Sequence, residues 1–125
     1  MIVGLGIDLI DTDRIARELA REEWAAANGI FTTAELGYCR AARKPERLLA
    51  ACFAAKEATL KALGTDVADL GIFREVEISF DGEDRRAVLL HKRAGAMARQ
   101  LGARSVSLSL AVRAKSAVAM VILES

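Results

Sequence analysis

Between Leu48 and Gly64 the chain is apolar at nearly every position, yet Lys56, Glu57 and Lys61 sit in the middle of the run. A helix that is apolar on most of its faces belongs inside a protein. A charge carried inside with it costs several kcal/mol unless it is paired, fully hydrogen-bonded or bound to a metal. The run therefore predicts one long interior helix around which everything else packs, and its three charges ask for a ligand.

The remainder of the chain is consistent with a small protein built around such a helix. With 125 residues, one domain over 1–125 can bury a core without disulfides or a structural metal. Apolar residues make up 53% but aromatics only 5%, so the core is expected to be aliphatic. Eighteen basic against seventeen acidic residues leave a net charge of +1, which offers no broad field for nucleic acid and no polybasic membrane anchor. Cys39 and Cys52 lack metal-ligand spacing and read as reduced thiols of a cytoplasmic protein. The apolar start from Met1 to Ile10 contains two glycines and Asp8 and is too short to span a bilayer, so it reads as a strand.

Alternation in that strand places Val3, Leu5, Ile7 and Leu9 on one face and Gly4, Gly6 and Asp8 on the other. Glycines inside a strand mark a close approach by a ligand or another backbone. Asp11, Thr12 and Asp13 start a helix running from Arg14 to about Asn28 and Gly29. Arg14, Arg17 and Arg21 form a stripe along it, either a solvated face balanced by Glu18 and Glu22 or a dock for an acidic helix. Thr32 and Glu35 have the spacing of a capping box behind Phe31, and that short helix ends near Ala41. Pro45 restarts the chain into the long helix, which Gly64 closes. A hairpin pairs Val76 to Phe80 with Ala87 to Leu90 through the turn at Asp81 to Asp84. A helix from Arg93 to Leu101 and strands over Val106 to Val112 and Ala117 to Leu123 complete an α+β fold of order β-α-α-α-β-β-α-β-β, with an antiparallel sheet against the long helix.

Asp8 and Glu57 are two carboxylates in apolar settings and could meet as hard oxygen ligands for Mg²⁺, which often takes one or two carboxylates and completes its shell with water and phosphate. Equally, Asp8 could cap a turn and Glu57 could pair with Lys61 one helical turn on. Lys61 would share a volume with a metal-ligating Glu57, and phosphate chemistry uses a cation and a metal together. Gly64 and Thr65 offer backbone and hydroxyl donors, or Gly64 is simply a left-handed cap. Lys56 has no assigned partner. His91 reads as a surface histidine at a strand end.

Four segments, in order and over nearly the whole chain, resemble the holo-acyl-carrier-protein synthases, the small phosphopantetheinyl transferases. They are Gly4-Leu5-Gly6-Ile7-Asp8, Phe31-Thr32 with Glu35, Phe53-Ala54-Ala55-Lys56-Glu57-Ala58 with Lys61 to Thr65, and Ser107-Leu108-Ser109. The resemblance implies a 4′-phosphopantetheinyl transferase-like fold and transfer of 4′-phosphopantetheine from coenzyme A to a serine of an acyl carrier protein, releasing adenosine 3′,5′-bisphosphate. It implies Mg²⁺ on Asp8 and Glu57, with Glu57 and Lys61 in catalysis. It places coenzyme A against Lys61, Gly64, Thr65 and Ser109, and the carrier protein on Arg14, Arg17 and Arg21. It also implies a homotrimer in the cytoplasm, serving fatty-acid or polyketide synthesis, with no nucleic-acid or membrane partner. Three positions depart from the family pattern: Cys52 stands in place of an arginine, Asp66 of a glycine and Leu110 of a histidine, all at positions expected to touch phosphate. The alternative implied by those departures is a relative that has lost transfer and binds the carrier protein or acts on a carrier-bound acyl chain.

Overall fold

A computed structural model describes residues 1–19, 29–65, 70–80 and 86–125. Strand β1 (Ile2–Asp11) is followed by three helices, α1 (Thr12–Leu19), α2 (Thr33–Arg40) and α3 (Pro45–Ala62). A 3-10 turn over Leu70–Glu75 leads into β2 (Val76–Phe80) and β3 (Arg86–Leu90), then α4 (Lys92–Gln100), β4 (Ser105–Val112) and β5 (Ser116–Glu124). The order is the expected one, with the 3-10 turn added. The antiparallel strands form two sheets, β1-β5-β4 and β2-β3. Arg21, the far end of the first predicted helix, Asp66 and the predicted hairpin turn lie outside the described residues.

Helix α3 is the centre of the molecule. Pro45 occupies its first turn, Gly64 follows it at φ +76°, and eleven of its residues, five of them alanines before Ala62, are buried. It lies across β1 and β5. The approach is close because the inward face of β1 is glycine: a methyl group at Gly4 would overlap the carbonyl oxygen of Ala62, and one at Gly6 that of Ala58. The glycine face therefore admits another backbone, one of the two readings open from sequence. The opposite face of β1 points outward, leaving Leu5, Ile7 and Leu9 60 to 68% exposed beside Met120 of β5.

Local signals place the flanking helices. Thr32 accepts from the Glu35 amide and Glu35 accepts from the Thr32 amide, the predicted capping box. Helix α1 begins two residues earlier than expected. The Asp11 carboxylate accepts from the Asp13 amide, while the Thr12 hydroxyl donates to the Ala114 carbonyl and ties the helix start to the β4-β5 turn. Cys39 and Cys52 are both free thiols in the core.

Candidate active site

The alternation of β1 turns Asp8 to the same side as Gly6, where the glycines have let α3 come near. Lys61 of α3 donates from Nζ to Asp8 Oδ1 at 2.8 Å and to the Ile7 carbonyl at 3.2 Å. Hydrogen bonding to Asp8 raises the Lys61 pKa despite partial burial, so its ammonium is held charged. Its side chain is nevertheless half exposed, against 9% for Asp8, so one face of the ammonium remains open to a ligand.

Glu57 lies one turn before Lys61, beside Asp8. Burial first, then contact with the Asp8 carboxylate and repulsion from its charge, push the Glu57 pKa up to about 7; the charges of Lys61 and Arg14 oppose the shift. Asp8 Oδ2 is buried with no hydrogen-bond partner among the described residues. Two neighbouring carboxylates, one holding a buried oxygen without a donor and the other made reluctant to ionise, are the donor set a divalent cation would satisfy. Among the described residues no group of three or more His, Cys, Asp or Glu side chains gathers as a metal site, so such an ion would complete its shell from solvent and substrate.

The structure thus brings Asp8, Glu57 and Lys61 together, with Arg14 near enough to act on Glu57. Lys61 pairs with Asp8, so the alternative of a simple Glu57–Lys61 pair is not what forms. Gly64 and Thr65 follow a turn later, where the Thr65 amide donates to the Leu60 carbonyl. Ser109 stands apart. It is exposed on β4 opposite Met120, on the outward face of the sheet, whereas Asp8 faces α3.

Two expectations require correction. Lys56 needs no ligand, because it is fully buried and its Nζ donates to Glu35 Oε1 at 2.8 Å and to the Phe73 and Val76 carbonyls at 2.7 and 2.6 Å. Three donors thus meet three acceptors. Glu35 in turn accepts from the Thr32 and Ile78 amides and from Cys52 Sγ at 3.3 Å. Cys52 cannot touch phosphate, since it is sealed between Glu35 and Cys39, and burial, followed by hydrogen bonding to Cys39 and the Glu35 charge, keeps its thiol well above the usual range. The Glu35–Lys56 pair is the feature that sequence reasoning missed. The only signal for it was an acidic capping residue followed, in a later helix, by an unpartnered lysine.

Relatives share this framework. Residues 4–112 match the family model described as the 4′-phosphopantetheinyl transferase superfamily. The holo-[acyl-carrier-protein] synthase of Vibrio atlanticus is 40% identical over 125 residues, covering 99% of this chain and 98% of its own, and that of Moorella thermoacetica is 39% identical over 120 residues, covering 96% and 92%. Among solved structures, the holo-[acyl-carrier-protein] synthase of Neisseria meningitidis superposes with a TM-score of 0.87 at 33% identity over the full length of both chains. The Bacillus anthracis synthase, solved in complex with CoA (3′,5′-ADP), gives 0.80 at 30% identity, covering 100% of this chain and 98% of its own. The carboxylate pair with its lysine stands within a match that runs over nearly the whole length, and the chain belongs to the 4′-phosphopantetheinyl transferase superfamily.

Proposed function

We propose that this chain is a holo-acyl-carrier-protein synthase that transfers 4′-phosphopantetheine from coenzyme A to a serine of an acyl carrier protein and releases adenosine 3′,5′-bisphosphate. The observation that carries the reading is the meeting of Asp8, Glu57 and Lys61 at one partly open point of a transferase fold. Asp8 and Glu57 would hold Mg²⁺, which when bound withdraws electron density from the coenzyme A pyrophosphate. Lys61, held charged by Asp8, offers an ammonium to the departing phosphate. Glu57, or a water beside it, would take the serine proton as the serine oxygen bonds to phosphorus and the phosphorus–oxygen bridge breaks. Gly64 and Thr65 are the neighbouring donors for coenzyme A.

Arg14 and Arg17 are exposed on α1 and are the proposed landing surface for the acidic carrier protein; Arg21, the third proposed contact, lies outside the described residues. The outward Leu5, Ile7, Leu9 and Met120 are covered in a homotrimer, an assembly that would also give the outward-facing Ser109 access to a neighbouring site. The proposed setting is the cytoplasm; no helix among the described residues is long and apolar enough to cross a membrane. Incubation with apo carrier protein, coenzyme A and Mg²⁺ tests the reading by mass spectrometry. A gain of one phosphopantetheine is expected, and no gain at high enzyme concentration overturns it.

A further inference from the structure

We propose that the cavity between β3, α4 and β4 binds an aliphatic monocarboxylate, with its carboxylate on Arg99 and Arg104 and its hydrocarbon tail in the seam between the two sheets. Strands β3 and β4 pack side by side yet belong to different sheets, so among the described residues no ladder of backbone hydrogen bonds closes that seam. The opening has a volume of about 440 Å³, within the range of about 300–1,000 Å³ usual for small-molecule sites. Its walls are aliphatic: Val88 and Leu90 of β3, Ala98 of α4 and Val106 of β4 line it, and no Phe, Tyr or Trp among the described residues does. A flat aromatic ligand therefore has no ring to stack on, whereas a methylene chain meets apolar surface.

The charge around this opening is one-sided. Arg99 and Arg104 line it, no carboxylate among the described residues does, and neither guanidinium makes an ion pair with a described residue. His91, also in the wall, is engaged by Glu77 Oε1 at 3.2 Å. Arg99 lies close because Gly95, one turn before it on α4, has no side chain: a methyl group there would stand 3.4 Å from Arg99 Nη1 and 3.2 Å from the Leu90 carbonyl oxygen. The guanidinium thus folds back over Gly95 toward the end of β3. Arg104 is placed from the other side, where its amide donates to the Glu124 carbonyl and the Ala103 amide donates to the Ala98 carbonyl, fixing the turn out of α4. Two planar forks beside an aliphatic seam match a ligand that is anionic at one end and apolar at the other. The cavity is separate from the carboxylate cluster. Asp8 and Leu110 both pair with Ala119, and Val106 precedes Leu110 by four residues, about 13 Å of strand.

Titration of isotope-labelled protein with butanoate, hexanoate, octanoate and octanol, followed by NMR, tests the assignment. The wild type is compared with Arg99→Gln/Arg104→Gln and with Ala103→Leu, which narrows the cavity and keeps both charges; thermal melts confirm that each variant folds. Saturable shifts are expected at the amides of Leu90, Gly95 and Val106, with Kd falling about two- to fourfold per added methylene, up to the scale of a fully buried one. The double variant is expected to bind octanoate about tenfold or more weakly, the scale of a charge-assisted hydrogen bond, and octanol to bind the wild type as weakly. Ala103→Leu is expected to weaken octanoate more than butanoate, and saturating coenzyme A to leave the octanoate Kd unchanged. The absence of saturable shifts, or octanoate binding that survives the double variant, overturns the assignment. So do shifts centred on β1 and β5, which place the acid on the outward apolar face, and displacement by coenzyme A, which places it in the transferase site. Inorganic phosphate binding the same amides as tightly as octanoate overturns it as well, since the aliphatic seam then contributes nothing.

Discussion

Lys56 and Glu57 are adjacent in the chain and have opposite fates. Lys56 points into the core, where its charge is matched by Glu35 and two carbonyls; Glu57 points to the site, where its charge is only partly matched. Lys56→Met should destabilise the fold by about 3–5 kcal/mol, because it strands a buried carboxylate. Glu35→Gln/Lys56→Met should cost clearly less than the two single losses combined; denaturant unfolding of the cycle checks this. At Glu57 the sign follows from its raised pKa. Between about pH 4.5 and 7 the folded state binds more protons than the unfolded one, so without metal this group's contribution to stability falls as pH rises through that range. Melting temperatures with and without Mg²⁺ should therefore differ more at pH 8 than at pH 6, and Glu57→Gln should remove most of that difference. Glu75 has the opposite sign. Hydrogen bonds from Arg93 lower its pKa, so its contribution is present above the unfolded carboxylate value and is lost as pH falls through the folded one.

At the scale of elements, what could be read in advance was what is local. The Thr32–Glu35 box, the proline start of α3 and the glycine after its end are all encoded within a few residues of where they act. The second oxygen of Glu35 is different. It reaches Cys52 and the Ile78 amide, 17 and 43 residues away, and no spacing rule carries that information. Cys52 was misplaced for the same reason: a helical position does not by itself disclose which neighbour covers it. The contact between α3 and β1 yields a sharp test. In Gly6→Ala the new methyl group meets a backbone carbonyl that no rotamer change can move, so α3 must shift. The expected cost is about 1–3 kcal/mol in unfolding. Any fold that survives should show weaker Mg²⁺ binding, because Glu57 moves away from Asp8.

For the whole molecule, the sheet is the unfinished part. One face of β1-β5-β4 is buried under α3, while the other exposes Leu5, Ile7 and Leu9 in a row, an apolar surface that a second copy would cover. Ile7→Glu should convert the proposed trimer to monomer in light scattering, while circular dichroism shows the same fold. If the outward face of one copy serves a neighbour's site, transfer activity falls with the trimer. The alternation that exposes this row was plain from the sequence. Which of the two faces would be inward was not, because the glycines are neither apolar nor polar and only the nearness of α3 decides.

That nearness also sets how the site can change. Asp8 and Glu57 are spaced by main chain resting on main chain at Gly6 and Ala58, with no side chain between to be lengthened or trimmed. Substitutions elsewhere in the core can alter how firmly the molecule holds together without altering the gap between the two carboxylates. If the proposed metal site is occupied, the size of ion it would accept is a dimension set by this backbone contact, adjustable by giving up a glycine.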